Sequence, residues 1–338
     1  MNLHEWEKFF AERVRGHSDL VKSYLVYVKN LQAKGLPPIF EFRHLSRLLN
    51  VEEGFLAAVV RDSSKLYREF SIPKRRGGRR RILAPQPSLL HCQRWVNKEV
   101  LQNLPISDRA FGFVSGRSAI DNAAEHLGAD YLLNIDIRDF FPSIGSDTVL
   151  NAFLGLGYSP SVSLTLTEIC CAFGSLPQGA ATSPALSNFL CRTLDAELHD
   201  LAVSRGLRYS RYADDMSFSG PAIGSDIVNK AAFIISQFGY SINEQKLRLS
   251  GPKSKKIVTG ISISSGRTKL PRNRVRMIKA DAHTLLKLGP IGFLNAQEIP
   301  DPLAIERLLG RLEFWLQVDP KNSAALKIRE RLIGVAHN

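Results

Sequence analysis

The chain has 338 residues, 44% of them hydrophobic and 23% charged, with a formal net charge of +13. That balance excludes a disordered or fibrous protein, and the length allows two or three domains around a substantial core. The cationic excess favours a polyanionic partner, because each Lys or Arg set on a phosphate releases a condensed counterion. Cys92, Cys170, Cys171 and Cys191 form no CxxC pair and no zinc spacing, as expected of small buried apolar groups in a reducing compartment. The opening MNLHEWEKFF has no basic segment followed by an apolar one, and no apolar run reaches bilayer length. A cytoplasmic protein without a membrane partner is expected.

Residues 1–70 are expected to be helical. Apolar positions recur at three- and four-residue spacing in Phe40, Leu45, Leu48 and Leu49, then in Phe55, Leu56, Val59 and Val60. Ile72-Pro73 breaks this pattern ahead of Lys74-Arg75-Arg76-Gly77-Gly78-Arg79-Arg80-Arg81, which holds six basic residues in eight positions. The paired glycines suit a tight turn between two short strands, the second over 81–84. A helix follows over about 89–104.

Tyr131 to Ile137 is a short apolar run bounded by Gly128 and by Phe140-Phe141-Pro142, and reads as a buried strand. Ser146 or Asp147 can cap the next helix, and Gly155 and Gly157 can end it. A long helix is expected over 184–203 and a hairpin over 207–219, whose second half alternates as a half-buried strand does. Another helix over 225–238 and a strand pair near 257–263 come next. From Arg272 the pattern is helical, with Arg272, Arg274, Arg276 and Lys279 as a second basic cluster. Together these elements imply an α+β core with helical regions at both ends.

Arg211-Tyr212-Ala213-Asp214-Asp215-Met216 sets two adjacent carboxylates between strand-like segments. Alone, the Asp-Asp pair is an ordinary solvated turn. Asp136 changes the weighting, because it ends the apolar strand Leu132-Leu133-Asn134-Ile135, where a solvated Asp is not expected. Three carboxylates brought together repel unless a cation sits among them, and hard, oxygen-seeking magnesium suits that place. Two Mg2+ ions there would serve phosphoryl transfer, one at the attacking hydroxyl and one at the leaving pyrophosphate. Asp139 is a secondary candidate.

Three segments resemble motifs of the reverse transcriptase family, in that family's order: Asn134 through Ile144, Leu176-Pro177-Gln178-Gly179 through Pro184, and Tyr212-Ala213-Asp214-Asp215. The resemblance runs from about Phe40 to near the C-terminus. It implies an RNA-directed DNA polymerase with a right-hand fold: fingers, a palm with an antiparallel sheet, and a helical thumb. The boundaries it suggests are an N-terminal helical region over 1–70, fingers over 71–130, palm over 131–268 and thumb over 269–338. It gives Asp136, Asp214 and Asp215 the metal-ligand roles, and puts Lys246 near the leaving pyrophosphate as a general acid, with an exposed cation as the alternative. Phe141 would stand against the sugar of the incoming deoxynucleoside triphosphate, with Phe140 as its alternative. Gln178 would line the nucleotide pocket or else cap a helix. Arg79 and Arg81 would hold the triphosphate, while Lys74, Arg75 and Arg76 would meet RNA.

Asn122-Ala123-Ala124-Glu125-His126 resembles the NAxxH motif of retron reverse transcriptases, and Val258-Thr259-Gly260 their VTG motif. With no appended endonuclease or maturase-like domain in the chain, these favour a retron enzyme. Asn122, His126, Thr259, Arg272, Arg274 and Arg276 are then candidates for RNA contact, with an ordinary helix histidine as the alternative for His126 and an ordinary turn for Thr259-Gly260. The resemblance further implies a structured noncoding RNA as template and primer, synthesis from an internal guanosine 2′-hydroxyl, and a branched RNA–DNA product (msDNA). It also implies antiphage defence together with an effector protein. The alternatives are an abortive-infection or group II intron lineage, and an RNA-binding scaffold that restrains a partner.

Overall fold

The computed structural model describes residues 2–13, 17–73, 77–297 and 301–336. Lys74, Arg75 and Arg76 lie outside the described residues. In chain order the elements begin with helices α1 (Leu3–Arg13), α2 (Ser18–Gln32), α3 (Phe42–Leu49) and α4 (Glu53–Asp62). Strands β1 (Tyr67–Pro73) and β2 (Arg79–Pro85) come next, then α5 (Pro87–Glu99), α6 (Ala119–Ala124) and β3 (Tyr131–Asp136). Four helices follow: α7 (Ser146–Leu156), α8 (Pro160–Cys170), α9 (Ser183–Leu190) and α10 (Arg192–Val203). The remainder is β4 (Arg208–Tyr212), β5 (Asp215–Gly220), α11 (Ser225–Gln237), β6 (Arg248–Ser250), β7 (Ile257–Val258), β8 (Ile261–Ser262), α12 (Arg272–Asn295), α13 (Ala304–Val318) and α14 (Ser323–Ala336). No helix among the described residues is long and apolar enough to cross a membrane.

The chain forms two compact units that it enters more than once. The first comprises Met1–Phe113, Ile137–Glu197 and Ala232–Ile242; the second comprises Val114–Asp136, Leu198–Ala231 and Asn243–Asn338.

In the first unit α8 is the central helix, packed against α3, α4, α5 and α7. Its start is set by Ser159, whose hydroxyl accepts from the Val162 N–H, and by Pro160 in the first turn, where a missing N–H costs nothing. Its β-branched and hydroxylated residues are poor helix formers, but burial overrides that preference. Thr165 and Thr167 satisfy their hydroxyls on the Ser161 and Ser163 carbonyls, at 2.9 and 2.8 Å. β1 and β2 form the expected hairpin, with Tyr67 opposite Pro85 and Pro73 opposite Arg79. The cysteines are free and buried.

Two expectations are corrected in this part of the chain. Gly145, not Ser146 or Asp147, stands at the N-cap of α7, and those two residues occupy its first turn. The long helix expected over 184–203 is two, α9 and α10. Cys191 opens the backbone between them with ψ near 0°, while its N–H still reaches the Ser187 carbonyl at 3.0 Å.

In the second unit an antiparallel sheet runs in the order β4-β5-β3-β6. An apolar core gathers Leu132 of β3 and Val258 and Ile261 of the β7–β8 pair with Ile278, Leu285, Leu308, Leu312 and Trp315 of the C-terminal helices. α12 bends at Gly289 (φ 70°), just before Pro290, which cannot donate into the helical ladder. Leu308 is fully buried in this core. Leu308→Ala should therefore cost about 2–5 kcal/mol by the cavity it leaves, measured as a drop in stability by chemical denaturation.

Candidate active site

The antiparallel pairing of β3 with β5 aligns Leu133 with Phe218, Ile135 with Met216, and Asp136 with Asp215. On the other side of β5, Tyr212 pairs with Asp215, leaving Ala213-Asp214 as a two-residue turn. Ala213 takes a left-handed φ of 57° there. Tight hairpin turns demand that geometry, at a cost to any residue but glycine. β5 was expected to be half-buried; from Met216 to Gly220 it is buried on both faces. Ser217 and Ser219 are tolerated inside because they are hydrogen-bonded, Ser217 accepting from Asn134 Nδ2 at 3.2 Å.

Asp136 is 4% exposed. Its Oδ2 accepts from Lys246 Nζ at 2.7 Å, and its carbonyl accepts from the Asn243 N–H at 2.7 Å. Lys246 is half-exposed. Crowding by the surrounding protein, then the negative charges of Asp214 and Asp136, push the Asp215 carboxyl well above the ordinary carboxylate range; Lys246 opposes this. The three aspartates thus share one neighbourhood, with Asp136 opposite Asp215 and Asp214 in the adjoining turn.

Among the described residues no three His, Cys, Asp or Glu side chains converge at metal-ligand spacing. One Asp136 oxygen is held instead by the Lys246 ammonium. The donor chemistry nonetheless fits a hard divalent cation: all-oxygen, anionic, and destabilised by its own charge.

His126 and Asn122 were expected to contact RNA, and the structure corrects this: they are 0% and 1% exposed. Both ring nitrogens of His126 are occupied, Nδ1 with Ser219 Oγ and Nε2 with Ser210 Oγ, each at 2.7 Å. The ring therefore ties β4 to β5 and has no face left for a ligand. The helix ahead of it, α6, starts with a capping box between Ser118 and Asp121. Thr259 at φ 47° turns the chain after β7, and its hydroxyl donates to the Ala119 carbonyl at 3.0 Å. The VTG turn thus meets the first residue of α6, the helix that carries Asn122. Gly260 (φ 80°) leaves room for the Arg274 guanidinium, which a Cβ there would meet at 3.0 Å. Arg272 and Arg276, at the start of α12, are exposed.

The remaining candidates lie in the first unit. The Leu83 N–H donates to the Gln178 carbonyl at 3.0 Å, so the Leu176–Gly179 segment lies along β2. Gly179 (φ 135°) permits this approach, since a Cβ would stand 2.4 Å from the Leu83 oxygen. Gln178 does not cap α9, whose N-cap is Thr182. Arg79 donates to the Ser71 carbonyl at 3.1 Å; Arg81 pairs with Glu69 at 2.8 Å and lies over the Phe173 ring. Phe140 is buried against Tyr240, whereas Phe141 is only partly buried. Sequence reasoning missed Gln93. Fully buried, its amide accepts from the Ala181 N–H and donates to the Ile169 carbonyl and the Tyr67 hydroxyl. A lone Gln on an amphipathic helix carries no signal of that task.

The family profile described as Reverse transcriptase (RNA-dependent DNA polymerase) matches residues 72–263. Retron Ec86 reverse transcriptase of Escherichia coli is 35% identical over 301 residues, covering 88% of this chain and 90% of its own. Retron Mx162 reverse transcriptase of Myxococcus xanthus is 32% identical; the match covers 78% of this chain and 60% of that longer protein. Among solved structures, a foamy viral protease-reverse transcriptase in complex with double-stranded DNA is similar at a TM-score of 0.41 and 20% identity. That match covers 73% of this chain and 35% of the viral one. The chain belongs to the reverse transcriptase family, the RNA-directed DNA polymerases. Within that family it resembles the bacterial retron enzymes.

Burial, and to a lesser degree the Arg208 charge, lower the His126 pKa from 6.5 to about 3. The unfolded chain protonates this imidazole near 6.5 and the folded one does not, so unfolding takes up a proton between those values. The contribution to stability is therefore intact above that window and falls as the pH drops through it. Between pH 7 and pH 5 the loss should be roughly 2 kcal/mol. Denaturation of the parent and of a His126→Gln variant at both pH values checks this: the variant should lack that part of the pH dependence, and equal slopes would contradict it.

Proposed function

We propose that Asp136, Asp214 and Asp215 hold two Mg2+ ions for DNA synthesis, and that the chain copies the structured noncoding RNA of a retron. The register that sets Asp136 opposite Asp215 supports the first statement most directly. When bound, such ions supply the positive charge that activates a primer hydroxyl and steadies the leaving pyrophosphate. Every other contribution comes from the side chains. Lys246 balances the carboxylates while it rests on Asp136, and its flexible stem lets the ammonium swing to the pyrophosphate and donate a proton there. Phe141 meets the sugar of the incoming deoxynucleotide and excludes a 2′-hydroxyl sterically, while Gln178 lines the same pocket. Arg79 and Arg81 take the triphosphate, Arg81 exchanging Glu69 for phosphate.

On this reading residues 71–130 are the fingers, 131–268 the palm and 269–338 the thumb, with 1–70 as a helical extension. Lys74, Arg75, Arg76, Thr259, Arg272, Arg274 and Arg276 serve RNA or the RNA–DNA heteroduplex through its backbone. Synthesis starts from the 2′-hydroxyl of a guanosine within the RNA and yields branched msDNA. The system acts in the cytoplasm against phage, with an effector protein. The named retron relatives and the NAxxH and VTG segments support this finer assignment.

Primer extension on an RNA template with magnesium and deoxynucleotides tests the carboxylates. Asp214→Asn with Asp215→Asn should reduce synthesis by at least about a thousandfold, with RNA binding retained; undiminished synthesis would refute the assignment. Lys246→Ala should slow the chemical step by about a hundredfold. Sequencing the nucleic acid that copurifies should find a branched RNA–DNA species, whereas intron RNA would contradict the retron reading.

A further inference from the structure

Phe113 departs from ordinary behaviour in two ways. The residue is 51% exposed, and its backbone holds a left-handed φ of 63°, a conformation that costs a residue with a Cβ about 1–2 kcal/mol. Glycine would sit there without that cost. The turn is nevertheless held in place: Asn188 of α9, 1% exposed, donates its Nδ2 to the Gly112 carbonyl at 2.8 Å, and Ala110 and Phe111 are buried just before it. Strain that the surroundings enforce so firmly marks a functional position more often than an accident. Neither stability nor solubility calls for an exposed benzyl group at this point.

The ring's aromatic neighbour is Phe141. Their centroids lie 6.1 Å apart with planes tilted by 36°, within the range of a favourable aromatic pair. Phe141 also meets Phe140 at 5.4 Å, and Phe140 is buried against Tyr240. Phe141 therefore contacts one ring anchored in the core and one ring carried by a strained turn.

We propose that Phe113 is a positioning residue for sugar selection, fixing the Phe141 ring at the tilt that excludes a ribonucleotide's 2′-hydroxyl. This rests on the reading of Phe141 as the sugar gate. Selection by a steric wall is only as good as the wall's rigidity, because a ring free to turn aside admits the extra hydroxyl. Without Phe113, Phe141 loses one of its two restraints. Deoxynucleotide turnover then changes little, and ribonucleotide turnover rises.

The test is the ratio of kcat/KM for dCTP over CTP in single-nucleotide incorporation, measured for Phe113→Gly, Phe113→Ala, Phe113→Tyr, Phe141→Ala and Phe113→Ala with Phe141→Ala. Phe113→Gly and Phe113→Ala should each lower the ratio by about tenfold, and Phe113→Tyr should keep it. Phe113→Gly relieves the left-handed strain and should melt no lower than the parent, which separates the effect from loss of fold. The double variant should be no less selective than Phe141→Ala alone, since both changes act through one ring. If Phe141→Ala loses selectivity while both small Phe113 variants keep it, the role of Phe113 is refuted and the gate stands. Additive losses in the double variant would also refute it, because Phe113 would then act independently of Phe141. If Phe141→Ala keeps selectivity, the gate itself falls and this inference with it.

Discussion

Asp136 and Asp215 face each other across an antiparallel register, and a third carboxylate, Asp214, stands in the adjoining turn. Directly opposed like charges destabilise a strand pair, so this arrangement survives only because the rest of the sheet insists on it. Leu132, Leu133 and Ile135 on β3, with Met216 and Phe218 on β5, are all buried. A slip of one residue would break the matched pairs Leu133–Phe218 and Ile135–Met216 inside a buried sheet. The burial of the apolar pairs thus enforces the proximity of the acidic ones. The Lys246 ammonium on Asp136 offsets part of the repulsion and leaves a site that favours additional positive charge.

The other parts of this unit serve the same hairpin. His126 joins Ser210 of β4 to Ser219 of β5 from a fully buried position. α6, which leads to His126, is held in turn by Thr259. The two short segments that resemble retron motifs are therefore, in structural terms, one support for the strands that carry Asp214 and Asp215. In the first unit a comparable constraint ties Gln178 to β2, where Gly179 permits backbone contact and Gln93 anchors the following residues.

The acidic residues were legible in the sequence because their chemistry is unusual in its setting: Asp136 closes an apolar strand, and Asp214-Asp215 interrupts a hairpin. The β1–β2 hairpin was legible from Gly77-Gly78 and the end of α7 from Gly157, whose φ of 107° few other residues accept. α8 was not, since its threonines, serines and valine argue against a helix until burial on nearly every side is known. His126 was misjudged for a related reason. Its NAxxH resemblance suggested RNA contact, and only the two serines, 84 and 93 residues away in sequence, reveal a buried strut. Phe113 left no sequence signal at all, because neither backbone strain nor the distance to Phe141 can be read from residue type.

Direct cation binding tests the central claim without relying on turnover. Mn2+ titrated into the nucleic-acid-free protein and followed by electron paramagnetic resonance should show bound ion. Asp136→Asn and Asp215→Asn should each weaken that binding by about tenfold or more. Equal Mn2+ binding by the parent protein and the Asp136 and Asp215 variants would contradict the account.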